Sequence, residues 1–271
     1  MSKQLPRAPQ ITYLPINHCI YCGNEKDALS DEHIIPFGLN GNFVLPKSSC
    51  AECAKITSEF ERKVLRGFLD NGRRAMGVSS RHKKHKKPAA TPVKFIAGNT
   101  RLDGEMPIEN GFHTIHLPIF IAPLALGGES KDDRPDSIDV VGFDTLHIGD
   151  AIETLKRHNA TGVETQTNVD IWPFIRMLSK IAYSYYVAQI GVFPREESPI
   201  LSIVLNKHNF AKEWVGCLED HPLTTPGSKA MHLMDITELK GADGAICSVV
   251  RIKLLSNAAS PTYSVIVRLQ N

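Results

Sequence analysis

No stretch of the 271 residues approaches the roughly 18 consecutive apolar residues that a membrane-crossing helix needs. The N-terminus, Met1 to Pro15, lacks the apolar core of a secretory signal. Charge of one sign is also missing: 31 Lys and Arg stand against 29 Asp and Glu, for a net charge of +2. Any affinity for nucleic acid must then come from local clustering of charge. Cysteine is scarce, with six residues. Two of them, Cys217 and Cys247, lie far apart in sequence with no second ligand at metal spacing, and read as buried free thiols. The length is enough for a buried core and for one large or two small domains.

The other four cysteines are grouped. Cys19 and Cys22 form one Cys-x-x-Cys knuckle and Cys50 and Cys53 a second, 28 residues or more further on. Four soft thiolates delivered from two short turns suit one tetrahedral Zn²⁺. The gap between the knuckles is longer than in a compact zinc ribbon and leaves room for a hairpin. Thiols kept for a metal, with no export signal, point to a reducing, cytoplasmic setting.

The hairpin can be traced. Residues 28–36 read as a strand that Pro36 ends. Gly38, Asn40, Gly41 and Asn42 make a turn-rich loop. Residues 43–45 return as a second strand, stopped by Pro46. A helix follows, capped by Ser48 or Ser49, with Cys53, Ile56, Phe60, Val64 and Leu65 near one face. The three prolines among residues 1–17 predict an extended arm.

Cys19, Cys22, the Glu32-His33-Ile34-Ile35-Pro36 run, an Asn in the loop after it, and Cys50 and Cys53 with the helix beyond them resemble the HNH endonucleases. These are ββα-metal fingers, here of the kind stapled by a structural zinc on four Cys. The resemblance covers about the first quarter of the chain. It implies a metal-dependent hydrolysis of phosphodiester bonds, double-stranded DNA being the first substrate to test. His33 would be the general base and Glu32 would hold one catalytic Mg²⁺ or Mn²⁺. Asn42, with Asn40 close behind, would orient the base. At the position after the last Cys, where the family has a His or Asn ligand, this chain has Ala54; Glu61 would substitute if the ion sits deeper, and otherwise water would complete the shell. The alternative is a catalytically inactive finger that binds nucleic acid. HNH modules often nick, so cutting both strands would require a homodimer or two visits.

A basic run follows. Arg66, Arg73, Arg74, Arg81, Lys83, Lys84, Lys86 and Lys87 crowd residues 66–92 with almost no acid besides Asp70. Glycines make the stretch poorly helical. Lacking interleaved aromatics, it offers phosphate contacts and not base stacking.

From residue 93 the texture changes. Residues 93–97, 112–121 and 137–143 read as strands, and residues 246–255 and 263–269 as a closing antiparallel hairpin. Residues 171–190 carry the strongest helix signal, with Asp170 at its cap, Pro173 in its first turn and Gly191 as its stop. Arg176 and Lys180 mark its polar side. Residues 199–205 are apolar and undecided between helix and strand. The expected organisation is an α+β chain: an HNH finger over 1–70, a basic linker over 71–92 and a larger α+β region over 93–271 that packs on the finger.

Overall fold

The computed structural model describes residues 8–78, 89–218, 223–224, 230–256 and 260–270, and the chain takes an α+β fold. In chain order the elements are β1 (Ile11–Thr12), β2 (Leu29–His33), β3 (Phe43–Cys50), α1 (Ala51–Arg66), α2 (Asp70–Ala75), β4 (Ala90–Ala97), β5 (Thr100–Pro107), β6 (His113–Phe120) and β7 (Val140–Ile148). They continue as α3 (Ala151–Arg157), β8 (Gly162–Glu164), α4 (Ile171–Ile190), α5 (Leu201–Val204), β9 (Val215–Cys217), β10 (His232–Lys240), β11 (Ile246–Leu254) and β12 (Tyr263–Gln270).

The strands make small sheets. β2 and β3 pair antiparallel, and β1 adds to β3 in parallel. The N-terminal arm is thereby tied down through Ile11 N–H to Asn42 O and Tyr13 N–H to Val44 O, at 2.8 and 2.9 Å. The order β10-β11-β12-β9 makes a four-stranded antiparallel sheet, β5-β4-β8 a three-stranded one, and β6-β7 a ribbon. The predicted closing hairpin is β11–β12, paired antiparallel with a register shift between Ser248 and Val249.

β3 is longer than its sequence suggests. It runs through Pro46 because the ladder slips there: Ser30 faces Ser49, but Glu32 already faces Leu45. A proline is tolerated at such a bulge, where no ladder donor is required. Lys47 takes φ +48°, and its N–H is received by the Asp31 carboxylate at 3.2 Å. Ser48 and Ser49 do not cap α1. Cys50 is the cap residue, and the Ser48 hydroxyl donates to Leu45 O at 2.6 Å instead. The loop between the strands is set by Gly41, where an added Cβ would lie 2.1 Å from Ile35 O.

The stretch after α1 also departs from expectation. Residues 70–75 are helical despite Gly72, because α2 packs on β6: a Cβ at position 72 would meet Ile115 at 2.2 Å. The strand predicted over 137–143 starts at Val140 and runs to Ile148. Residues 201–204 resolve as a short helix.

α4 organises the molecule. It spans the predicted residues 171–190, but its polar side is not the expected one. Residues 173–175 and 177–184 are all buried, so the helix is enclosed nearly all round. Lys180 is 0% exposed. Burying side chains such as Phe174, Ile175 and Leu178 contributes about 1.5–3 kcal/mol each. The same helix touches the finger: Phe174 meets Phe68 edge-on at 5.4 Å between ring centroids, and Tyr183 donates to Ile20 O at 3.0 Å. Buried residues of the finger, of α4 and of β6, β11 and β12 belong to one continuous core. No helix among the described residues is long and apolar enough to cross a membrane.

Candidate active site and metal centre

The two knuckles meet. The Sγ atoms of Cys19, Cys22, Cys50 and Cys53 all lie within 4.8 Å of one another, and Cys22 and Cys50 are 3.6 Å apart. Sulfurs at the corners of a zinc tetrahedron with bonds of about 2.3 Å stand about 3.8 Å from each other. All four cysteines are free thiols, and three are buried. Crowding already favours a thiolate: the hydrogen bond from Cys53, helped by backbone N–H groups of residues 50, 22 and 21, brings Cys19 down to about 4 against the opposing effect of burial. The set fits a metal ion such as Zn²⁺, and it would pin the arm-side knuckle to the start of α1. Cys217 and Cys247 are buried free thiols outside this cluster.

A separate cavity of about 470 Å³ opens between the end of β2 and the face of α1, and none of the cysteines lines it. From β2 come Ser30, Asp31, Glu32 and His33; from the following turn come Pro36, Phe37 and Gly38. From α1 come Ala54, Thr57, Ser58, Glu61, Arg62, Leu65 and Arg66, a ridge at helical spacing. His33 and Glu32 are therefore brought together, with Glu61 beside them. The His33 ring stands edge-on to Phe37, at 5.8 Å between centroids. Ala54 does face the cavity, so the position expected to hold a second ligand presents a methyl group.

The carboxylates of Glu32 and Glu61 converge on an ammonium. Lys180 reaches in from α4 and pairs with Glu32 Oε1 and, at 2.9 Å, with Glu61 Oε1. It also donates to His33 O and, at 3.3 Å, to Ile34 O. Burial opposes its charge, but Glu32 and Glu61 outweigh that and hold the Lys180 pKa above the ordinary lysine value. The buried Tyr21 hydroxyl is pushed well up, first by burial and then by the neighbouring Glu32 and Glu61 charges. Among the described residues, the four cysteines are the only group of three or more His, Cys, Asp or Glu placed to hold a metal ion. The Glu32–Glu61 pair, already satisfied by a lysine, does not fit a divalent ion as arranged. Neither Lys180 nor Arg62 was singled out from sequence as a site residue, and Arg66 was read only as the start of the basic run.

Two expected site residues lie elsewhere. Asn42 is not in the cavity wall; its amide donates to Pro9 O at 2.8 Å and fastens the arm. Asn40 takes the left-handed conformation, φ +66°, that closes the turn after Pro36. Arg73 is 4% exposed, and its guanidinium is committed to Leu65 O at 2.7 Å, Gly38 O at 3.4 Å and Asp70 at 2.9 Å. These bonds tie α2 to the end of α1 and to the turn at Gly38, and Arg73 also lines the cavity. Arg74 lies 3.7 Å from the same Asp70. Arg81, Lys83, Lys84, Lys86 and Lys87 lie outside the described residues.

A second cavity, about 490 Å³, is lined by Tyr21, Cys22, Arg195, Ser202 and Lys207 among others. Ser202 Oγ lies 2.6 Å from His208 Nε2. The pair is not a nucleophile and its base: His208 Nδ1 accepts from Phe210 N–H at 3.2 Å, so Nε2 carries the proton and donates to Ser202.

Comparisons of the chain with protein families, with curated proteins and with solved structures find no match in any of the three. The chemistry must be argued from the site itself.

Proposed function

We propose that this chain is an endonuclease of the HNH kind, hydrolysing phosphodiester bonds in nucleic acid, with double-stranded DNA the first candidate. One observation carries the proposal: the cavity wall joins the His33 imidazole, a strand-borne carboxylate and two exposed arginines, apart from the cysteine cluster. An imidazole is the side chain suited to take a proton from an attacking water. Arg62 and Arg66, one turn apart on α1, are placed to meet the phosphate oxygens and the charge that grows on them. The leaving oxygen takes its proton from solvent. A zinc ion on the four cysteines would supply rigidity, not chemistry. No step is assigned to a divalent ion, because Glu32 and Glu61 are held by Lys180.

The second reading, a finger that binds nucleic acid without cutting it, is supported by the methyl of Ala54 at the expected ligand position. Nicking of supercoiled plasmid by zinc-loaded protein separates the two. Nicking that disappears in His33→Ala supports the nuclease. Equal nicking by both proteins, or salt-sensitive DNA binding with no cleavage by either, rules it out.

A further inference from the structure

We propose that the Lys180 ammonium is the resident cation of the Glu32–Glu61 site, standing where a divalent ion would be held, so that the chain takes up no Mg²⁺ or Mn²⁺ there while Lys180 is present. This concerns the same cavity as the nuclease proposal but does not depend on cleavage.

Four oxygens surround Lys180 Nζ: Glu32 Oε1, Glu61 Oε1 at 2.9 Å, His33 O, and Ile34 O at 3.3 Å. Two carboxylates and two carbonyls are the hard, all-oxygen partners that Mg²⁺ or Mn²⁺ also takes. The ammonium donates to the two carbonyls and pairs by charge with the two carboxylates. Charge follows the same logic. Burial raises the Glu32 pKa and the Lys180 charge opposes that rise, so without the lysine the two carboxylates would need protonation or another cation between them.

Lys180 cannot step aside. Its side chain is 0% exposed, and Ser179, Ile181 and Tyr183 around it on α4 are equally buried. Moving the ammonium to water would mean parting α4 from α1 and β2. A metal ion would have to displace a buried charge that is already paired with both carboxylates. Position 54 adds no ligand on the helix side, where Ala54 presents a methyl group to the cavity. Position 180, 147 residues beyond His33, thus sets the cation of a site built by the finger.

The test is equilibrium binding of Mn²⁺ to zinc-loaded protein, with free Mn²⁺ read from its electron paramagnetic resonance signal. Wild type is expected to bind no Mn²⁺ that Glu61→Gln removes. Lys180→Ala is expected to bind one Mn²⁺ per chain, at least 10-fold more tightly than wild type, and to melt at a higher temperature when Mn²⁺ is added. Adding Glu61→Gln to Lys180→Ala should abolish both effects. The proposal is overturned if wild type binds one Mn²⁺ that Glu61→Gln abolishes. It is equally overturned if Lys180→Ala, folded and with its zinc intact, binds none. Should Lys180→Ala not fold, the wild-type and Glu61→Gln arms still decide. Each readout is binding or melting, so a failed nuclease proposal and a failed cation proposal give different results.

Discussion

Lys180 Nζ lies 2.9 Å from Glu61 Oε1, joining the middle of α4 to the second half of α1. The contact closes a buried cluster of two carboxylates and one ammonium, and it fastens the cavity wall to the rest of the fold. Replacing Lys180 by Met keeps the apolar stem and removes the charge, leaving the buried Glu32 and the partly exposed Glu61 without their counter-charge. Loss of one partner of a buried ion pair costs about 3–5 kcal/mol. Lys180→Met should show that loss as a lower urea midpoint, and adding Glu61→Gln should restore part of it. Additive effects of the two substitutions would show that the residues are not coupled.

The cysteine cluster should hold one metal ion per chain. Cys53→Ser removes a ligand at the junction of β3 and α1, where the knuckle from residues 19–22 is held. The variant should lose its zinc in a chelator-indicator assay and melt well below wild type, because metal binding and folding of such a site are linked. A Cys53→Ser protein with full zinc content and unchanged melting would assign the cluster no metal role.

Arg62 and Arg66 are the exposed basic residues of the cavity wall. The double variant Arg62→Gln/Arg66→Gln should bind duplex DNA more weakly. Its plot of log affinity against log salt should be shallower by up to about 1.8, since each phosphate contact contributes about 0.9. An unchanged slope would place the phosphate contacts elsewhere, for example on the basic run at 81–87.

His232 links the last sheet to the finger. Its ring donates from Nε2 to Leu39 O at 2.7 Å and accepts at Nδ1 from Leu255 N–H at 3.3 Å. Burial pushes the imidazole down to about 4, with the Leu39 carbonyl opposing. The unfolded chain, with an ordinary value of about 6.5, takes up its proton first as pH falls. Stability from this group is therefore full above about pH 6.5 and is lost on the way down to about 4, by about 3 kcal/mol. His232→Gln can make both hydrogen bonds without titrating. Its unfolding free energy should fall less than that of wild type across that range; parallel pH curves would contradict the assignment.

Gly41 admits no side chain. A Cβ there would lie 2.1 Å from Ile35 O and 2.7 Å from Ile35 C, and a backbone carbonyl cannot yield as a flexible side chain does. Gly41→Ala should destabilise by about 2 kcal/mol or more, read as a lower melting temperature. A neutral substitution would mean that the loop between β2 and β3 has more room than described.

Local rules made part of this molecule readable. The strand–loop–strand–helix order of the finger follows from Pro36, the Gly and Asn loop and the apolar spacing of α1. The bounds of α4 follow from Asp170 and Gly191, and β11–β12 from their alternation. β10 was not legible: Leu233, Met234, Ile236 and Leu239 do not alternate, and the strand is half-exposed on both faces at the sheet edge. Lys180 was misread for a deeper reason. Periodicity assigns a lysine opposite an apolar stripe to solvent, and only a partner 147 residues away shows that it is held inside. The bonds of Arg73 were hidden similarly, because two of its acceptors are carbonyls, which carry no signature in sequence. The bulge that lets β3 run through Pro46 depends on Asp31 receiving the Lys47 N–H, a contact across the hairpin.

The central claim is that His33 acts as general base on a phosphodiester. The most direct measurement is single-turnover cleavage of a labelled duplex by wild type, by His33→Gly, and by His33→Gly with added imidazole, all zinc-loaded. The account predicts cleavage by wild type, a loss of about 10²-fold or more in His33→Gly, and partial recovery with imidazole, whose dependence on pH follows the added base. Cleavage by His33→Gly at the wild-type rate would contradict it.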